Sequence, residues 1–175
     1  MNITILNGSP RKNGNTEIMA EEFARGAKEN GHTVELINLA GKQIAGCKGC
    51  QYCFTHDGVC SQKDDMVDIL EKLDQTDMVV FASPIYCYDI TAQLKAVIDR
   101  FYARMQKGFH FHQTAMLLNA ASSGVFDAAL SMYKGMAAYV HWEDKGIVTI
   151  SGTTTKGSIK ELADLKKAYE LGKTL

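Results

Sequence analysis

The feature that most limits how this chain can fold is an alternation of two hydrophobic periods along its length. Short apolar runs suited to buried strands stand at residues 3–6, 34–39, 78–82, 115–118 and 147–150. Helical patterns lie between and after them. Met19, Phe23 and Ala27 recur every fourth residue, with Gly31 as a C-terminal stop. Met66, Ile69, Leu70 and Leu73 share one helical face behind Asp64 and Asp65, whose charges suit a helix start. Leu94, Val97, Ile98 and Phe101 repeat the spacing, and Lys95 can pair with Asp99 across one turn. Further helices are expected over 126–141 and 158–172, the second with Leu162, Leu165 and Tyr169 inward. The order βαβαβαβαβα predicts an α/β fold with a parallel sheet and helices on both faces, because parallel strands need crossover connections. Ligands in such sheets bind at the carboxyl ends of the strands. The loops predicted to meet there are 8–16, 40–63, 83–91 and 119–125.

With 175 residues, of which 46% are apolar and 22% charged, one domain over 1–175 is expected, carrying a Cys-rich loop at 44–63. A net charge of −1 speaks against nucleic acid or an acidic membrane held by bulk electrostatics. No apolar run reaches the length of a membrane span. The first strand begins at once, so no targeting peptide is expected. Five cysteines, mostly clustered, point to cytosolic chemistry rather than a disulfide framework, so a cytoplasmic location is expected.

The segment from Gly8 to Thr16 concentrates hydrogen-bond donors at a strand-to-helix junction. Ser9 and Thr16 offer hydroxyls, Asn13 and Asn15 amides, and Arg11 a cation, while Gly8 and Gly14 let the backbone come close. With the free N–H groups and dipole of a helix start, this composition suits a phosphate. The spacing fits neither a Walker loop, since Asn15 stands where the lysine should be, nor the G-x-G-x-x-G dinucleotide fingerprint. A terminal monoester phosphate held without metal remains. An ordinary Gly/Ser/Pro/Asn turn is the bland alternative.

Ser83-Pro84-Ile85-Tyr86-Cys87-Tyr88-Asp89 follows the third strand and can border a flat ring, although most tyrosines are simply half-buried. Ala120-Ala121-Ser122-Ser123-Gly124 follows the fourth strand with small side chains that expose backbone groups. The loop after the second strand carries Cys47-x2-Cys50-x2-Cys53-x6-Cys60, four thiols able to surround one centre. Thiolates select zinc or an iron–sulfur cluster. Three readings stay open on the residues alone: a [4Fe–4S] cluster, free thiols without metal, or structural zinc. His56, His110, His112 and His141 have no partner at ligand spacing and read as surface or core histidines.

The runs Gly8–Thr16, Ser83-Pro84-Ile85-Tyr86 and Gln93-Leu94-Lys95-Ala96-Val97-Ile98-Asp99-Arg100 resemble the flavodoxin-like NAD(P)H-dependent FMN reductase and iron–sulfur flavoprotein family, over roughly residues 1–125. The resemblance implies a doubly wound five-stranded parallel sheet of order 2-1-3-4-5. It implies that Ser9, Arg11, Asn13, Gly14, Asn15 and Thr16 hold the phosphate of FMN. Pro84, Ile85, Tyr86 and Cys87 would border the isoalloxazine, and Ser122, Ser123 and Gly124 its other edge. The cysteine motif resembles that of the iron–sulfur flavoproteins, which implies a [4Fe–4S] cluster on Cys47, Cys50, Cys53 and Cys60, beside FMN of a neighbouring subunit. The implied activity takes hydride from NAD(P)H and passes electrons to a quinone, a flavin, or another small-molecule or protein acceptor. No protein acid or base is assigned. A homodimer or homotetramer is implied as well. A non-enzymatic flavodoxin-like carrier and a Cys-based metal- or redox-sensing module are the alternatives, and near-neutral charge suits an acidic-faced carrier poorly.

Overall fold

The computed structural model describes residues 1–175. Its strands are β1 (Asn2–Asn7), β2 (Thr33–Asn38), β3 (Met78–Pro84), β4 (Gln113–Asn119) and β5 (Glu143–Ile150). They form a single parallel sheet in the order β2-β1-β3-β4-β5, the order the resemblance implies. The helices are α1 (Asn15–Glu29), α2 (Tyr52–Thr55), α3 (Met66–Leu73), α4 (Ala92–Arg100), α5 (Asp127–Val140) and α6 (Leu165–Lys173). No helix is long and apolar enough to cross a membrane.

Alternation along each strand divides the core in two. Ile3, Ile5, Met78, Val80, Ala115 and Leu117 point to one face, where Met19, Phe23 and Ala27 of α1 meet Ala168 of α6. Leu6, Val79, Phe81, Met116 and Leu118 point to the other, under the apolar faces of α3, α4 and α5. There Phe81, Phe101, Phe109, Phe111 and Trp142 form an aromatic cluster of tilted and edge-on contacts with centroids 4.8–6.4 Å apart.

Two local expectations change. The helix expected over 158–172 is broken: a 3-10 turn at Ser158–Glu161 is followed by α6, with Leu162 extended between them. The break lets Ile159 enter the core and donate a hydrogen bond through its N–H to Asn15 Oδ1 at 3.3 Å. The inward face also differs. Leu162, Leu165 and Tyr169 are half-buried, while Ala168 and Gly172 are buried. Helix α1 crosses too close for larger groups: a Cβ on Gly26 would stand 2.1 Å from the Tyr169 carbonyl oxygen, and one on Gly172 2.1 Å from that of Phe23. At the end of α5, His141 takes the left-handed conformation and Trp142 N–H closes onto the Ala137 carbonyl. The short helix α2, inside the cysteine loop, has no apolar period and was not expected from sequence.

Candidate functional site

The phosphate-type loop is built from the end of β1. Gly8 N–H pairs with the Ala82 carbonyl on β3, and its own carbonyl accepts from Thr91 Oγ1 at 2.7 Å. A Cβ on Gly8 would stand 2.7 Å from both Leu94 Cβ and Thr91 Oγ1, so only glycine lets α4 approach. Thr91 also caps α4, and its N–H donates to Ser83 Oγ at 3.0 Å. The ends of β1 and β3 and the start of α4 are thereby pinned together.

A chain of polar groups then shapes the turn. Ser9 N–H donates to Asn7 Oδ1 (3.1 Å), Asn7 Nδ2 to Asn38 Oδ1 (2.7 Å), and Asn38 Nδ2 to Glu17 Oε1 (2.9 Å). The other Glu17 oxygen accepts from Asn13 N–H. Glu17, at the third position of α1, reaches back in the manner of a capping box and holds Asn13 at φ 53°. Arg11 N–H donates to Ser9 Oγ at 3.2 Å, which leaves the Ser9 hydroxyl proton free to donate. The backbone N–H groups of Lys12, Asn15, Thr16 and Glu17 find no acceptor within the chain. Unpaired N–H groups at a helix start, with the exposed cation of Arg11 nearby, make a site for an anion.

A cleft of about 130 Å³ opens in front of this turn. Ser9, Arg11, Asn15 and Thr16 line it at one end, and Pro84, Ile85 and Tyr86 on one side. The rest of the wall is Asn119, Ala120 and Ala121 at the end of β4, with Thr153 and Thr154 after β5. Asn13, Gly14, Cys87, Ser122, Ser123 and Gly124 are not among the lining residues. Asn13 and Gly14 set the turn's path. Cys87 sits with Tyr88 at the tip of a tight turn closed by Tyr86 and Asp89, both at positive φ. Ser122, Ser123 and Gly124 are exposed further along their loop.

Two lining side chains are already engaged. Asn15 Nδ2 donates to the Thr155 carbonyl (2.8 Å) while its oxygen takes the Ile159 N–H. Thr16 Oγ1 donates to Asn119 Oδ1 (2.6 Å), and Asn119 Nδ2 donates to Thr153 Oγ1 (3.0 Å). Both residues brace the wall, so what they can offer a phosphate is chiefly their backbone N–H. Asn119 and Thr153 were missed from sequence. The rule that ligands sit at strand ends, applied to the fifth strand as well, would have included residues 151–157.

Cys47, Cys50, Cys53 and Cys60 all line a second, smaller cavity, walled also by Arg100, Tyr102 and Ala103. All are free thiols. No group of three or more His, Cys, Asp or Glu side chains is gathered closely enough to hold a single metal ion. Four thiolates on one zinc must each come within about 2.3 Å of it. A four-iron cluster holds its ligands further apart, and four thiols spread around one cavity fit that donor set. Its hydrogen-bonding edge fits too, because the buried Arg100 Nε has no partner.

Arg100, 1% exposed, makes a bidentate pair with Asp64 at 2.8 and 3.0 Å. Burial works against its charge, but Asp64 and Cys60 outweigh that and hold its pKa above the ordinary value. Burial likewise pushes the Asp64 carboxyl up, while Arg100 and the Ala45 N–H together draw it below the usual carboxylate range. The Ser61 hydroxyl lowers the Cys50 thiol, and burial raises that of Cys53.

Residues 1–144 match the family described as NADPH-dependent FMN reductase. An iron–sulfur flavoprotein of Archaeoglobus fulgidus is 33% identical over 170 residues, 94% of this chain and 74% of that protein. A second from the same organism is 41% identical over 100 residues, 57% of this chain and 48% of that protein, so the matched stretch spans about half of it. Among solved structures, the NAD(P)H:quinone oxidoreductase from Methanothermobacter marburgensis superposes with a TM-score of 0.78 at 20% identity, over 99% of this chain and 95% of that one. That likeness concerns the fold.

Proposed function

Because the chain belongs to the NADPH-dependent FMN reductase family, and is thus an FMN-dependent oxidoreductase, we propose that the cleft in front of α1 is the FMN site and that electrons pass from NAD(P)H to a quinone, a flavin or a protein acceptor. The observation that carries this reading is the anion nest: the unpaired N–H groups of Asn15 and Thr16, a free Ser9 hydroxyl proton and the Arg11 cation at one end of the cleft, with the unpaired N–H groups of Lys12 and Glu17 in the same turn. When bound, FMN supplies the redox chemistry, and the chain supplies position and surroundings.

Ser9 and Arg11 hold the phosphate directly, and Lys12, Asn15, Thr16 and Glu17 hold it through the backbone. Pro84, Ile85 and Tyr86 form the wall against the ring, with Ala120 and Ala121 opposite, small enough to leave their backbone groups within reach of a flat heterocycle. Tyr86 and Tyr88, 43% and 67% exposed, stand at the lip and suit contact with a second subunit of a homodimer or homotetramer. Cys47, Cys50, Cys53 and Cys60 would hold a [4Fe–4S] cluster, which would supply one-electron transfer toward the acceptor. Unpaired cysteines suit a reducing cytoplasm.

Flavin titration of the double variant Ser9→Ala/Arg11→Ala tests the assignment. Charge-assisted phosphate contacts contribute about 1.5–3 kcal/mol each, so losing two should raise the FMN dissociation constant by about a hundredfold or more while the fold persists. Unchanged affinity would remove the site assignment.

A further inference from the structure

We propose that Arg100 is a positioning residue for a cluster held by the four cysteines, with its Nε–H directed to a sulfur in their cavity while its two Nη groups fasten the loop that carries them. This rests on the reading that Cys47, Cys50, Cys53 and Cys60 bind a [4Fe–4S] cluster. Arg100 ends α4, is 1% exposed, and shares the cavity wall with all four thiols. Its Nη1 donates to the Ala45 carbonyl (3.0 Å) and to Asp64 (2.8 Å), and its Nη2 donates to the other Asp64 oxygen (3.0 Å). Asp64 in turn accepts from Ala45 N–H at 3.1 Å and Met66 N–H at 3.2 Å. One guanidinium therefore ties residue 45 to residue 64, the two ends of the segment that contains every clustered cysteine. Four of its five donor positions face the Nη fork, and the remaining one, Nε–H, is buried without an acceptor.

The other two buried unpartnered atoms, His32 Nε2 and Gln113 Oε1, line neither this cavity nor the cleft. A buried donor persists where an acceptor completes it. Sulfur at the cavity meets that need, and donors to cluster sulfur stabilise the more negative, reduced form, raising the reduction potential. Lysine could keep the charge and one contact to Asp64, but it lacks the planar fork that serves two partners and the cavity at once.

The full chain, reconstituted anaerobically with ferrous iron and sulfide, provides the test, with Arg100→Lys beside the native sequence. The native chain should take up iron and acid-labile sulfide. Arg100→Lys should bind FMN with unchanged affinity, yet show a more negative cluster potential and several-fold faster loss of iron to a chelator. Equal potentials and equal loss rates in two loaded proteins overturn the role of Arg100 and leave the cluster reading intact. A native chain that takes up no iron and sulfide overturns both. Should the variant fail to fold, pulsed electron paramagnetic resonance of the native chain labelled with 15N-arginine decides: 15N coupling to the reduced cluster supports the contact, and its absence overturns it.

Discussion

The loops that follow β1 and β2 leave the same end of the sheet, yet they are ordered by different means. The first, between Asn7 and Asn15, is short, and its shape is fixed by a run of side-chain bonds through Asn7, Asn38 and Glu17. The second, between Asn38 and Met66, is long and largely exposed, and one buried ion pair with a few carboxylate–backbone bonds fastens its ends. In the first, conformational entropy has been lost before any ligand arrives, as suits a cofactor kept through every turnover. In the second, the fastened ends carry the order, and under the proposed function a group held by the thiols would add the rest, as in small metal-dependent loops.

The sharpest way to break this contrast is to remove the fastening. Asp64→Asn leaves the Arg100 charge buried beside a neutral amide and should cost about 3–5 kcal/mol in urea unfolding. A cost below about 1 kcal/mol would mean that the pair does not hold the loop. The same variant has a pH signature. The Asp64 carboxyl lies below its ordinary value in the folded chain, so its stabilisation is complete above about pH 4 and fades as pH falls through the lower folded value. The gap between native and variant unfolding free energies should therefore shrink in strong acid.

Next in size is Asn15→Ala, which strands the Thr155 carbonyl and the Ile159 N–H. About 2 kcal/mol of stability should be lost, with a several-fold weaker hold on FMN as the wall at 153–159 loosens. A variant that loses stability but keeps full FMN affinity would separate brace from site and weaken the idea of a pre-shaped pocket. The smallest effect is the control. Lys95 and Asp99 pair on an exposed face of α4, and Lys95→Ala should change stability by less than about 0.5 kcal/mol, with FMN affinity untouched.

The sheet was legible because periods of two and of nearly four leave little ambiguity in a chain this regular. The turn after β1 was legible as well, since Gly8, Ser9, Arg11 and Thr16 have chemistry that spacing alone can sort. Other parts were hidden for physical reasons. Asn15 was expected to face a ligand, but an amide at a helix start binds whichever backbone lies nearest, and here that is Thr155 and Ile159, more than a hundred residues away in sequence. Ser122, Ser123 and Gly124 were expected at the ring because small residues expose backbone. Ala120 and Ala121 line the cleft, and Ser122, Ser123 and Gly124 are exposed beyond them. Arg100 stood in the sequence only as the last residue of the run 93–100; the packing of α4 against the cysteine loop makes it the most enclosed charge in the molecule.

The crossing of Gly26 and Gly172 has a consequence for the far end of the chain. The family match stops at residue 144, yet the fourth wall of the cleft is made by Thr153 and Thr154. The chain that follows this wall is held at two points, by the Asn15 amide at Thr155 and Ile159 and by the α1–α6 glycine contact at Gly172. Slack introduced at the crossing, by a bulkier residue there or by clipping the last helix, would pass back along residues 160–171 to the wall of the cleft, far from where the change was made.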